Sequence, residues 1–206
     1  MQILATHRAL FGFSTFPGSR GTRTMSEAEI VRVVEAFEST HSQWALVGAH
    51  AIGLLTEPRA TADFDFVVEA GKVAAIVREL TVAFGDLGQN DIGAAIQLRS
   101  IDVDLSRSTN HALFAEALVQ HQTIGEWRVP RTEVLIVLKF LAAVSPWRDR
   151  IKRRQDVVDI GAVYARRGAE LDRDKAIELA RLVYPGAETE FRALLDKLDR
   201  DEPIAI

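Results

Sequence analysis

Val47-Gly48-Ala49-His50-Ala51, followed by Arg59-Ala60-Thr61-Ala62-Asp63-Phe64-Asp65-Phe66, is the stretch that sets the architecture. Phe64, Phe66 and Val68 alternate there with Asp63, Asp65 and Val67, the period of a β-strand. On a strand both carboxylates leave one face, and the two phenylalanines enter the core from the other. Carboxylates held side by side repel unless a cation lies between them. Mg²⁺ suits that place, because it takes hard oxygen ligands and binds one or two carboxylates together with substrate phosphates. A pair of such ions can clamp the attacking and leaving oxygens of an in-line displacement. Upstream, Trp44-Ala45-Leu46-Val47 reads as a short buried strand, and Gly48 closes it and opens a helix over 49–55. A residue without a side chain lets phosphate approach the backbone, and the free amides of a helix start favour an anion. Arg59 and Thr61 offer a cation and a hydroxyl to phosphate oxygens just ahead of the acids.

Outward from this centre, Ser26-Glu27-Ala28-Glu29 is a capping-box pattern, and Ile30, Val33, Val34 and Phe37 follow at helical spacing. Residues 73–84 read as a helix, 85–93 as a loop, and 95–105 as one strand or two joined by a kink. A helix over 111–119 and a short strand at Trp127-Arg128-Val129 come next. Beyond them, 131–144, 150–166, 174–183 and 187–198 all read as helices. The fold class is therefore α/β (α+β): a small sheet with flanking helices over 26–125, then a C-terminal helical region over 126–206 that completes a cleft. In Ser100-Ile101-Asp102-Val103-Asp104-Leu105 the alternation puts Asp102 and Asp104 on one strand face. Either would complete a three-carboxylate cluster or take a proton from an attacking hydroxyl, and the pattern treats the two alike.

Composition narrows the function. A formal charge of −4 argues against a surface coated with nucleic-acid-binding cations, although the run 148–154 gathers Arg148, Arg150, Lys152, Arg153 and Arg154 and offers one place for an RNA backbone. The chain has no cysteine, which excludes thiolate metal sites and points to a reducing cytoplasm. No apolar run approaches the roughly 20 residues of a membrane-spanning helix. Residues 1–25, with Arg8, Arg20 and Arg23 but no acid, read as a disordered leader ahead of a start at Met25. Lys139 is the lone charge in the apolar run 134–144, where an unpaired ammonium is costly. An anionic triphosphate or the acid cluster would satisfy it, and methionine would fit its place with little loss of stability. Asp156 and Asp159 share a helix face three residues apart, where Lys152 or Arg153 is the ordinary partner.

Gly48-Ala49 ahead of Asp63-x-Asp65, with a later strand aspartate, resembles the minimal nucleotidyltransferases of the polymerase-beta-like superfamily. The fuller pattern, from Gly48-x-His50-Ala51 through Arg59-x-Thr61-x-Asp63-x-Asp65, is most similar to the AbiEii-type and related bacterial groups, which include toxins. Lys139 and Asp156-x-x-Asp159 extend the resemblance into the helical part. It implies a Mg²⁺-dependent enzyme moving an NMP from an NTP to an acceptor: tRNA or other RNA, a protein, or a small molecule. It assigns catalysis and metal binding to Asp63, Asp65 and Asp104, favouring Asp104 over Asp102 because Leu105 follows it, although Ser106 breaks the second apolar position. Gly48, Ala49, Arg59, Thr61 and Lys139 are the nucleotide-binding candidates, with His50 and Asp156 as accessory ones. Ala49 departs from the family turn, which carries Gly-Ser or Gly-Gly. A cognate antitoxin is an implied partner. A non-catalytic nucleotide- or partner-binding relative and a metal-dependent phosphohydrolase are the competing readings.

Overall fold

Ser26 starts the first helix as the sequence predicts, its backbone N–H donating to Glu29 Oε2 at 2.8 Å while its hydroxyl accepts from the Glu29 amide. The computed structural model describes residues 25–204. The leader expected over 1–25 thus lies outside the described residues except for Met25, which is buried in the core. Helix α1 (Glu27–Ser39) buries Ile30, Val33 and Phe37. Strand β1 (Trp44–Val47) follows, buried along its whole length, and then α2 (Gly48–Leu55), which ends two residues before the Glu57-Pro58 break. Strand β2 (Phe64–Val68) sends Phe66 edge-on against Phe37 and Trp44, with ring centroids 5.0 and 6.0 Å away.

After α3 (Val73–Phe84) the chain adds β3 (Gln89–Asp91), β4 (Ile96–Leu98) and β5 (Val103–Arg107). One sheet results, in the order β1-β2-β5-β4-β3, antiparallel except where β2 and β5 run parallel. One reading of the sequence changes here, and one open alternative closes. Residues 89–91, expected as loop, form an edge strand; their side chains are polar and largely exposed, so no apolar alternation announced it. The stretch 95–105 is two strands, and Asp102 lies in the turn between them with a left-handed backbone, φ 49°. Asp102 therefore shares no strand face with Asp104.

Helix α4 (Ala112–Val119) leads into a hairpin of β6 (His121–Ile124) and β7 (Trp127–Pro130) turning at Gly125, φ 60°. β6 was not expected, since three of its four residues are polar and Ile124 alone packs against the core, which leaves backbone pairing as the main signal. The hairpin is pinned to β1 and α1. Arg128 stacks over Trp44 at 5.3 Å and pairs with Glu38 at 3.0 Å, and the Trp44 indole donates to the same carboxylate at 2.8 Å. The rest is helical: α5 (Thr132–Val144), α6 (Arg150–Arg167), α7 (Arg173–Ala180) and α8 (Ala187–Asp199). α5 is buried nearly all round, with α4, α6, α7 and β7 packed about it. No helix among the described residues is long and apolar enough to cross a membrane.

Candidate active site

One row of residues crosses the sheet at a single level. Val47 on β1 stands opposite Asp65 on β2, Asp65 opposite Asp104 on β5, Asp104 opposite Gln97 on β4, and Gln97 opposite Asn90 on β3. Residues directly opposite share a face and bring their side chains together. The row thus selects Asp104, not Asp102, as the acid beside Asp65.

Gly48 closes the row from above. Its φ is +68°, and a Cβ built there would fall 1.9 Å from Asp65 Oδ2, so both the backbone turn and the space require glycine. Part of Asp65 remains open to solvent, but its carboxylate is tucked against that glycine and surrounded by protein. Burial, then the neighbouring Asp104, push its pKa up to about 7 against the pull of Lys139, with Asp63 adding to the rise. Burial also raises Asp104, opposed by a hydrogen bond from Gln97. Asp63 is exposed at the mouth of β2 and acts on both acids through its charge. Among the described residues no three acids or histidines already stand as a metal-binding group. Hard oxygen donors whose mutual repulsion a cation relieves nevertheless fit Mg²⁺.

The helix opened by Gly48 has no side-chain cap at Val47, which leaves first-turn amides pointing out for an anion. Ala49 is buried in that first turn. His50 stacks on Phe64, rings 3.8 Å apart and 9° from parallel, which holds it against the apolar side of β2. Thr61 lies half-buried on the loop between α2 and β2, and Arg59 lies exposed on the same loop.

The cations have partners the sequence did not reveal. Lys139 Nζ sits 3.0 Å from Asp156 Oδ1 and 2.7 Å from Asp159 Oδ2, all three residues buried. Arg59 meets Asp159 through two bonds, Nε to Oδ1 at 3.0 Å and Nη2 to Oδ2 at 3.1 Å. Arg148, the first residue of the basic run, clasps Asp156 with Nε and Nη2. Two carboxylates thus hold three cations, leaving one positive charge in excess beside the acid row, and the fields of Lys139 and Arg148 reach Asp65. Lys152, one turn on from Arg148, acts on Asp104. Asp156 and Asp159 do share a face, but it faces Lys139 rather than their own helix. Gln97 and Asn90 were missed as site residues, and Arg148 was read only as part of a basic run open to an RNA backbone. Asn90 lies on a short polar strand without a pattern, Gln97 is the single polar residue between Ile96 and Leu98 on a strand that the sequence did show, and Arg148 was hidden in a run that reads as a solvated face.

No protein-family model matches the chain, and no curated protein matches it in sequence. Among solved structures, it is similar to that of the antibiotic-resistance factor ANT(2'')-Ia, described with substrate-regulated conformation dynamics. The match covers 84% of this chain and 95% of that one, at 15% identity and a TM-score of 0.50. The two share a fold. A second similar structure is an antigenic nucleotidyltransferase-like protein from Paracoccidioides brasiliensis, covering 87% of this chain and 90% of that one at 20% identity and a TM-score of 0.47.

Proposed function

We propose that the chain is an enzyme that transfers an NMP from an NTP to an acceptor, with Mg²⁺ held by Asp63, Asp65 and Asp104. One observation carries this reading: Asp65 and Asp104 are paired in register beneath a glycine that opens an uncapped helix. A fold has no structural use for two half-buried carboxylates pressed together, so their cost points to a bound cation and anion. Mg²⁺ bound there would neutralise triphosphate charge and stabilise the reacting oxygens. The Gly48–Ala49 amides take phosphate oxygens, with Thr61 and the excess charge of the Arg59–Lys139–Arg148 lattice beside them. An acceptor oxygen attacks the α-phosphorus, the bond to pyrophosphate breaks, and pyrophosphate leaves. Asp104, whose pKa burial raises, receives the acceptor's proton.

The fold shared with an antibiotic-resistance factor and the AbiEii-like motifs both support transfer chemistry over simple binding. Those motifs also support a toxin role, with a cognate antitoxin as partner, and a cysteine-free chain suits the cytoplasm. The basic run 148–154 supports RNA as one acceptor, beside protein and small molecules. Incubation with each α-labelled NTP, Mg²⁺ and a cell extract tests the reading, the labelled fraction identifying the acceptor class. Label should transfer, and Asp63→Asn should reduce transfer by ~10³-fold or more. Asp104→Asn should cost ~10²-fold and Asp102→Asn little. Hydrolysis of the NTP, its phosphoryl group passing to water with no label on any acceptor, would favour the phosphohydrolase reading, and turnover unchanged in Asp63→Asn would remove the metal assignment.

A further inference from the structure

The outer half of the polar row sets two amide side chains in line with the Asp104 carboxyl. Asn90 stands opposite Gln97, and Gln97 opposite Asp104, on three successive strands. Asn90 Nδ2 donates to Gln97 Oε1 at 3.1 Å, which uses the acceptor end of the Gln97 amide. Gln97 stands directly opposite Asp104, whose carboxyl it draws down against the rise from burial, and with its oxygen taken by Asn90 the NH₂ end is the one left for that carboxylate. A glutamine alone could present either end to its neighbour. Asn90 fixes which.

We propose that Asn90 and Gln97 are positioning residues for Asp104, and that the edge strand β3 carries Asn90 to this place in the row. The inference rests on the proposed role of Asp104. A donor locked onto one carboxylate oxygen sets the side-chain torsions and leaves the other oxygen for metal or proton. Neither residue touches substrate, so both act through Asp104 alone.

Asn90→Asp tests the orientation of the Gln97 amide. It is nearly isosteric, lies on a partly open edge strand, and turns the donor into an acceptor. The Gln97 amide must then reverse and aim its oxygen at Asp104. Gln97→Met removes the donor and keeps the length. Each variant should lower kcat about tenfold, the scale of one charge-assisted hydrogen bond, with KM for NTP within about twofold of wild type. Mn²⁺ binding to the nucleotide-free protein, followed by titration calorimetry, should weaken about fivefold or more in both. A merely electrostatic effect of the new Asp would instead tighten Mn²⁺, and that result would overturn the proposal. So would wild-type kcat in both variants, or a fall in kcat matched by a collapse of the metal-free melting temperature. Because Mn²⁺ binding is read without turnover, a wild-type protein that binds Mn²⁺ but transfers no nucleotide would count against the proposed function. Weakened Mn²⁺ binding in the two variants would still uphold the positioning role.

Discussion

At Asp65 the fold sets a carboxyl against the Gly48 backbone and beside Asp104, and burial with repulsion lifts its pKa from 3.8 to about 7. The folded protein therefore holds a proton that the unfolded chain has released over that range. The stability from this proton is fully present below pH 3.8 and is lost as pH rises through 7. At roughly 1.4 kcal/mol per pH unit across the window, the loss is on the order of a few kcal/mol. Asp65→Asn carries no charge to bury. Its metal-free form should melt well above wild type at pH 8 and close to wild type at pH 4, while transfer is abolished. Melting curves in EDTA at the two pH values check this, and an equal gain at both would mean that burial of the charge is not the cause. Asp65 on the polar side of β2 was legible in the sequence because alternation along a strand has one geometric meaning, but the strand begins at Phe64 and leaves Asp63, expected on it, just ahead and exposed. The choice of Asp104 over Asp102 came only from the family resemblance, because alternation cannot show that the backbone turns left-handed at Asp102.

Between α5 and α6 the decisive feature is a buried lysine with two buried aspartates. The sequence made Lys139 conspicuous but left its partner open, since two acids three apart on a helix pair equally well with Lys152 or Arg153. It also implied that methionine would fit an apolar helix at little cost. The structure reverses that expectation. Lys139→Met would leave Asp156 and Asp159 facing each other in the interior, with only the flanking Arg59 and Arg148 to balance them. Removing one partner of a buried ion pair costs ~3–5 kcal/mol, whereas replacing the whole group by neutral residues is often close to neutral. Lys139→Met should therefore lower the ligand-free melting temperature sharply. The triple variant Lys139→Met/Asp156→Asn/Asp159→Asn should recover much of the loss. Denaturation of both by urea decides the matter, and a single variant as stable as wild type would show that the lattice carries no such strain. The helices were legible because their apolar faces repeat over many residues. β3 and β6 were not, because a three- or four-residue polar strand is held by its neighbour's backbone and not by its own pattern.

Across the whole molecule, Arg59 and Asp159 join positions 100 residues apart. Arg59 sits on the loop that delivers Asp63 to the mouth of β2, and Asp159 on α6, where it also pairs with Lys139 of α5. The bond thus fixes the approach to the acid row against α6. The sequence showed each residue singly, as a phosphate-binding cation and as a helix-face acid, but a contact across such a separation leaves no local trace. Burial alone would raise the Asp159 carboxyl, yet the bonds from Arg59 and Lys139 outweigh it and hold the pKa below the usual range. The stability they supply is present above the ordinary aspartate value near ~3.9 and is lost as pH falls through the lower folded value. Asp159→Asn should be less stable than wild type at pH 7, with the deficit shrinking as the solution is acidified towards pH 3. A double-mutant cycle of Arg59→Ala with Asp159→Asn should give a coupling of about 1–2 kcal/mol at pH 7, above the usual surface pair because Asp159 is buried. The same coupling should fade in acid, when the carboxylate that makes the bond is protonated. Urea unfolding of the four proteins at pH 7 and pH 3 measures both quantities, and a coupling near zero at pH 7 would mean that the loop is placed by its own turn and not by α6.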